Sequence, residues 1–347
     1  MVSELDVREA LRGVVDPELG GDIVELGMVR DVTIQGSTVT VGIALTIAEC
    51  PMRNQIEDDT VRKIKAIPGV DEVVVRTTAM TRQQRADLMG TVRFRARENA
   101  EPTRVSPTTR VIAVGSGKGG VGKSSLSTNL ALAAADLGFS VGLLDADIWG
   151  FSIPRMLGVE QRLEANEDRN MVPIEAMGIK LVSTGLIVES EETALMWRGL
   201  MLSKALEQFL KQVEWGALDY LFVDMPPGTG DIQMALTRLL PQAEMVVVTT
   251  PQKTAQKVAI RVADMARRSY MPVVGVIENM TNFTCDHGET YELFGSGGGQ
   301  ELADTLGIPL IGSIPLDRAV VVGGDSGAPV MRTDPDNAAS RAFAAAA

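Results

Sequence analysis

Gly115-Ser116-Gly117-Lys118-Gly119-Gly120-Val121-Gly122-Lys123-Ser124-Ser125 follows directly on the apolar run Val111-Ile112-Ala113-Val114. Gly117, Gly122, Lys123 and Ser124 stand at the spacing GxxxxGK[ST], in a strand-to-helix context. Glycines at these positions let backbone N–H groups curl around phosphate oxygens at a helix N-terminus, where the helix dipole also favours anions. Lys123 is placed to reach the β- and γ-phosphates of a nucleotide, and the Ser124 hydroxyl to ligate Mg²⁺. A glycine-rich turn without a ligand is the competing reading, and the complete spacing after a strand argues against it. Gly117 to Ser125 is therefore the candidate ATP-binding loop.

Outward from this loop, short apolar runs alternate with helical stretches. The strand candidates are Val111 to Val114, Val141 to Leu144, Leu221 to Val223, Met245 to Val248, Val273 to Ile277 and Leu310 to Ile314. Continuous β-branched runs of this kind suit a mostly parallel sheet flanked by helices, so the expected class is α/β, a P-loop NTPase. Carboxylates fall at the strand ends, where ligands of parallel sheets bind. Asp145 and Asp147 end the Val141 run, and Asp224 ends Tyr220-Leu221-Phe222-Val223 in a Walker B arrangement. Asp147 is expected to orient the attacking water, Asp145 to support the magnesium shell, and Asp224 to hold a Mg²⁺-bound water. Pro227, Gly228, Thr229, Gly230 and Asp231 read as a switch loop sensing the γ-phosphate.

The 347 residues suggest two domains. Residues 1–80 read as a small α/β unit: a helix over 3–15, strands at Val32 to Ile34 and Val39 to Leu45, a helix from Pro51 to about Ile67, and a strand at Val70 to Val75. Residues 81–109, rich in arginine with Pro102 and Pro107, read as a linker, and 110–347 as the ATPase domain. Acidic residues outnumber basic ones 45 to 33, a net charge of −12, which argues against nucleic acid as a general partner. No signal peptide or spanning segment is visible, so a cytoplasmic protein with no membrane association is expected. The alanine-rich end, Ala338 onward, reads as a frayed terminus. With two cysteines, Cys50 and Cys285, neither a disulfide scaffold nor a four-cysteine zinc site within one chain is expected.

The second lysine of the loop carries a resemblance. Gly117 to Ser124, GKGGVGKS, resembles the deviant phosphate loop of the MinD, ParA and nitrogenase-iron-protein group of ATPases. The resemblance implies an ATP-sandwiched homodimer, in which Lys118 crosses to the nucleotide of the partner and neutralises phosphate charge much as an arginine finger does. It also implies that Asn279, in Ile277-Glu278-Asn279-Met280, reads the adenine; a turn asparagine is the other reading.

Further stretches narrow the resemblance. Asp145 to Gly150, Trp197-Arg198-Gly199, Pro226 to Asp231, Ile277 to Met280 and Phe294 to Gly299 look like the Mrp/ApbC-type iron–sulfur cluster carrier ATPases. Asp16-Pro17-Glu18, Asp22 to Gly27 and Cys50-Pro51-Met52-Arg53 resemble the small iron–sulfur assembly domain that precedes many of them. Leu200 stands where the family usually has proline. The implied cofactors are ATP and Mg²⁺, with a [4Fe–4S] cluster shared between two subunits through a CxxC pair from each. Here Cys285 matches the first cysteine and Gly288 stands at the second. His287, the one histidine of the chain, is the candidate to complete a mixed set across the dimer, as histidines do in Rieske centres; a surface loop residue is the alternative. Cys50 is read either as a thiolate acting in cluster assembly or as a small buried apolar residue.

The leading functional expectation is an ATP-hydrolysing carrier that transfers clusters to apoprotein clients alongside other iron–sulfur assembly proteins. Two alternatives stand beside it: an ATP-dependent assembly scaffold without its own cluster, and a MinD/ParA-like positioning switch.

Overall fold

Each apolar run found in the sequence forms a strand in the computed structural model. It describes residues 2–17, 19–46, 52–98, 100–148, 150–187, 199–228 and 230–347. The chain divides into two units, Met1–Asn99 and Ala100–Ala347.

In the first unit, α1 (Glu4–Leu11) starts at a capping box in which Ser3 and Asp6 satisfy each other's backbone N–H groups. Its buried face is Val7 and Leu11, one turn apart. Strands β1 (Val29–Gln35) and β2 (Thr38–Leu45) form a hairpin whose Gln35 pairs with Thr38 across Gly36-Ser37. The helix α2 (Arg53–Lys65) buries Ile56, Thr60 and Ile64 at four-residue spacing, and β3 (Glu72–Ala79) then returns parallel to β2. Most of the stretch expected as a linker is helical: α3 spans Arg82–Glu98 within the first unit. Leu88 and Val92, a turn apart, are buried, and Arg95 pairs with Glu25. The arginine-rich composition hid that short apolar stripe. From Ala100 the chain belongs to the second unit, where the Arg104 N–H donates to the Leu210 carbonyl and the Thr109 hydroxyl to that of Leu218.

The second unit is built on strands β4 (Arg110–Ser116), β5 (Val141–Asp145), β6 (Ile174–Ala176), β7 (Ile179–Ser183), β8 (Tyr220–Asp224), β9 (Glu244–Thr249), β10 (Val273–Thr284), β11 (Thr290–Tyr291) and β12 (Leu310–Leu316). The order is β6-β7-β5-β8-β4-β9-β10, with β11 and β12 both paired to β10. All pairings are parallel except those of β6 with β7 and β11 with β10. Along β4, Val111 and Ala113 enter one hydrophobic cluster, while Ile112 and Val114 enter the other. The two-residue period of the strand thus supplies both faces of a sheet covered on both sides, which is why these runs read as continuously apolar.

The longer helices of the unit include α4 (Lys123–Asp136), α5 (Gly199–Gln212), α6 (Asp231–Leu239), α7 (Lys253–Arg268), α8 (Gly298–Leu306) and α9 (Ala338–Ala346). The last corrects the frayed-end expectation. Asn337 caps α9 by accepting the Ala339 N–H at 2.7 Å, and Ala339 and Phe343 lie buried in the cluster that holds α4. Among the described residues, no helix is long and apolar enough to cross a membrane.

Candidate nucleotide site

The turn from β4 into α4 is shaped by Gly122, which adopts φ 79° as the residue just ahead of the helix. A side chain there would be strained and would also collide with the Asn279 amide. Asn279 reaches the loop from β10 and donates from Nδ2 to the Val121 carbonyl at 2.8 Å. The sequence pairs these residues only through resemblance; the fold brings them into contact across 158 positions.

At the first turn of α4 the charged groups converge. Lys123 Nζ donates to Asp224 Oδ2 at 2.7 Å and lies 3.6 Å from Asp147 Oδ2. Ser124 Oγ donates to the same Asp224 oxygen at 2.7 Å, and Ser127 Oγ donates to Oδ1 at 2.6 Å. Asp224 and Asp145 are fully buried, side by side in register on β8 and β5. Asp145 accepts from the Ser183 hydroxyl at 3.0 Å and from the Asp147 N–H at 3.2 Å, so it fixes the backbone that carries Asp147. Burial and the neighbouring Asp224 carboxylate push Asp145 up to about 7, against the pull of Lys123. Burial also raises Asp147, opposed by Lys123.

Ser127 and Ser183 are site residues that the motif reading missed. Ser127 sits one helical turn beyond Lys123, a spacing that could have signalled it; Ser183 lies on β7, a strand not foreseen, and had no such signal.

The switch segment follows β8. The Gly228 N–H donates to the Ser116 carbonyl at 2.8 Å, Gly230 precedes α6, and Asp231 opens it. Pro227 and Gly228 line a cavity of about 120 Å³ together with Leu202, Met225, Ile232 and Gln233. Thr229 lies outside the described residues. Gly119 and Gly120 are exposed with open space around them, and Ser125, in the first turn of α4, gives its carbonyl to the Asn129 amide at 2.7 Å. Lys118 reaches the other way, donating to Gln252 Oε1 at 3.0 Å.

Cys285 is half-buried at the end of β10, where its N–H donates to the Glu289 carbonyl at 2.9 Å. Its own carbonyl accepts the Gly288 N–H at 2.8 Å, closing a hairpin turn with Gly288 at φ 82° and His287 exposed at the tip. The left-handed position ending this turn favours glycine, which gives a structural reason for the residue at the site of the expected second cysteine. Among the described residues, no three His, Cys, Asp or Glu side chains gather as a metal site. Cys50 lies outside the described residues.

A phosphate loop with an extra lysine, set at the C-terminal edge of a parallel sheet beside two strand-end aspartates, defines a P-loop NTPase of MinD/ParA-like fold. Residues 107–347 match the ParA family described as NUBPL iron-transfer P-loop NTPase, and the chain belongs to it. Residues 4–75 match the iron–sulfur cluster assembly protein family. The chain is 45% identical over 339 residues to an iron–sulfur cluster carrier protein of Mycobacterium leprae, covering 95% of this chain and 88% of that one. It is 42% identical over 347 residues to one of Synechocystis sp., covering 98% and 95%. Among solved structures, a nucleotide-binding protein of Archaeoglobus fulgidus in complex with ADP is 34% identical, with TM-score 0.59, over 70% of this chain and 94% of that one. The MinD protein of Pyrococcus horikoshii complexed with Mg-ADP shares the fold at 20% identity and TM-score 0.50, over 69% and 94%. The chain is thus a ParA-family NTPase of the iron–sulfur cluster carrier type, with an assembly-type unit ahead of it.

Proposed function

We propose that the protein hydrolyses ATP as a sandwiched homodimer and uses that cycle to hold an iron–sulfur cluster and transfer it to apoprotein clients. The observation that carries the ATPase half is the meeting of Lys123, Ser124, Asp147 and Asp224 within hydrogen-bond or ion-pair distance at one helix N-terminus. The donor set fits a nucleotide with its metal: an ammonium for phosphate, and a hydroxyl and a carboxylate oxygen for a hard cation. Mg²⁺ held by Ser124 and Asp224 would neutralise charge on the phosphates. Lys123, released from Asp224, binds the β- and γ-phosphates. The N–H groups from Gly117 to Ser125 line the phosphates, and Asn279 reads the base. Asp147 orients the attacking water, and Asp145 acts behind it by holding its backbone and the metal's surroundings. Lys118 acts on the nucleotide of the partner subunit.

The cluster is cargo in this reading. Cys285 from each subunit supplies a thiolate, and His287, two residues on in the same turn, completes a mixed set across the dimer. Cys50 and the assembly-type unit would take part in loading, with other assembly proteins as partners in the cytoplasm. Gly288 favours a second reading, a nucleotide-driven scaffold that docks clients without a cluster of its own. ATP-dependent dimerisation and turnover of Lys118→Ala test the sandwich. The variant should bind ATP and fail to dimerise or hydrolyse; normal turnover would contradict the assignment of Lys118 in trans.

A further inference from the structure

The bond between Lys118 and Gln252 belongs to no motif, yet it decides where the second lysine of the phosphate loop rests. Lys118 Nζ donates to Gln252 Oε1 at 3.0 Å, and Gln252 is the residue immediately ahead of α7. Both ends of this contact are braced. A Cβ at Gly117 would strike the backbone of Val258 and Ala259, so the start of the phosphate loop rests directly on α7. The Ser116 hydroxyl donates to the Lys118 carbonyl at 3.1 Å. On the other side, the Gln256 amide donates to the Pro251 carbonyl at 3.1 Å. Gly298 packs against that same carbonyl too closely for a side chain. The Gly299 N–H donates to buried Glu278 at 2.7 Å, which ties the glycine-rich turn of α8 into this platform.

The electrostatics make this a weak resting place. The acceptor is a neutral amide, at the helix end that carries partial positive charge and beside Lys253 in the sequence. A phosphate oxygen is the stronger acceptor for an ammonium. We infer that Gln252 is a positioning residue that holds Lys118 on its own subunit, and that transfer of Lys118 from Gln252 to the partner's nucleotide is a step of dimer formation. The inference rests on the reading that Lys118 acts in trans.

The test is the dimer dissociation constant of the full chain with a slowly hydrolysed ATP analogue, measured by sedimentation velocity. Gln252→Ala removes the resting acceptor and should tighten the dimer, while Gln252→Glu pairs with Lys118 by charge and should loosen it. Each shift should be about threefold to tenfold, between the worth of an exposed ion pair and that of a charged hydrogen bond. ADP affinity and thermal melting, which report a structural role, should stay at wild-type values in both. Shifts of the same sign in both variants, or a change in ADP affinity or thermal melting that accompanies them, would overturn the inference. If Lys118→Ala alone dimerises like wild type, the trans reading itself fails; if it fails to dimerise while the Gln252 variants match wild type, only the role of Gln252 fails.

Discussion

Lys123 and Asp224, 101 residues apart in the chain, meet as a buried ion pair at 2.7 Å. The pair joins the phosphate loop to the end of β8, so the lysine that would bind phosphate also compensates a carboxylate with no access to solvent. Removing one partner of such a pair strands the other charge. Lys123→Ala should therefore abolish nucleotide binding and also cost about 3 kcal/mol of stability in the nucleotide-free protein. Urea unfolding at neutral pH measures the second effect, and a loss below about 1 kcal/mol would contradict this role for Lys123.

Asp145 gives the site a pH signature. In the folded protein burial and Asp224 push it up to about 7, whereas in an unfolded chain an aspartate ionises near pH 4, about 3.9. Between those values the folded state binds the extra proton. The contribution of Asp145 is therefore unimpaired below about pH 4 and turns increasingly unfavourable as pH rises towards 7. Asp145→Asn removes the ionisation. Wild type should lose stability relative to this variant between pH 5 and pH 7.5, and a pH-independent difference would count against the buried carboxylate pair.

Asp147 lies 3.6 Å from Lys123, with its backbone held by Asp145. Asp147→Asn should keep ATP affinity near wild type and lower turnover by about 10²- to 10⁴-fold, the usual worth of a positioned acid–base group. Equal losses in affinity and turnover would instead make Asp147 a binding residue.

The terminal helix α9 buries Phe343 against the sheet's α4 side. Phe343→Ala should cost about 3 kcal/mol by denaturant unfolding. A change within about 0.5 kcal/mol, typical of exposed positions, would return the C-terminus to a frayed end.

What could be read from the residues alone follows from how local each signal is. The phosphate loop, the strands ending at Asp145 and Asp224, and the β1–β2 hairpin are each encoded within a few neighbouring residues, and the fold class followed from them. Helix α3 was missed because arginines surround the buried apolar positions Leu88 and Val92. Helix α9 was missed because its apolar stripe is mostly alanine. Strand β7 was missed because Lys180 interrupts it and its burial depends on pairing with β5. In the site, the motif residues were legible, while Ser183 was not, and outside it neither was the contact of Lys118 with Gln252: each depends on a partner far away in sequence. Gly288 was legible as a missing cysteine; its role in the turn needed the backbone.

The carrier reading stands or falls on whether this turn holds iron. The most direct measurement is iron and sulfide bound per dimer after anaerobic reconstitution and gel filtration, for wild type, Cys285→Ala and Gly288→Cys. Wild type should retain iron with a visible absorption band, Cys285→Ala should lose both, and Gly288→Cys should retain more. Wild type that emerges free of iron, or Cys285→Ala that keeps it undiminished, would contradict a cluster carried at Cys285.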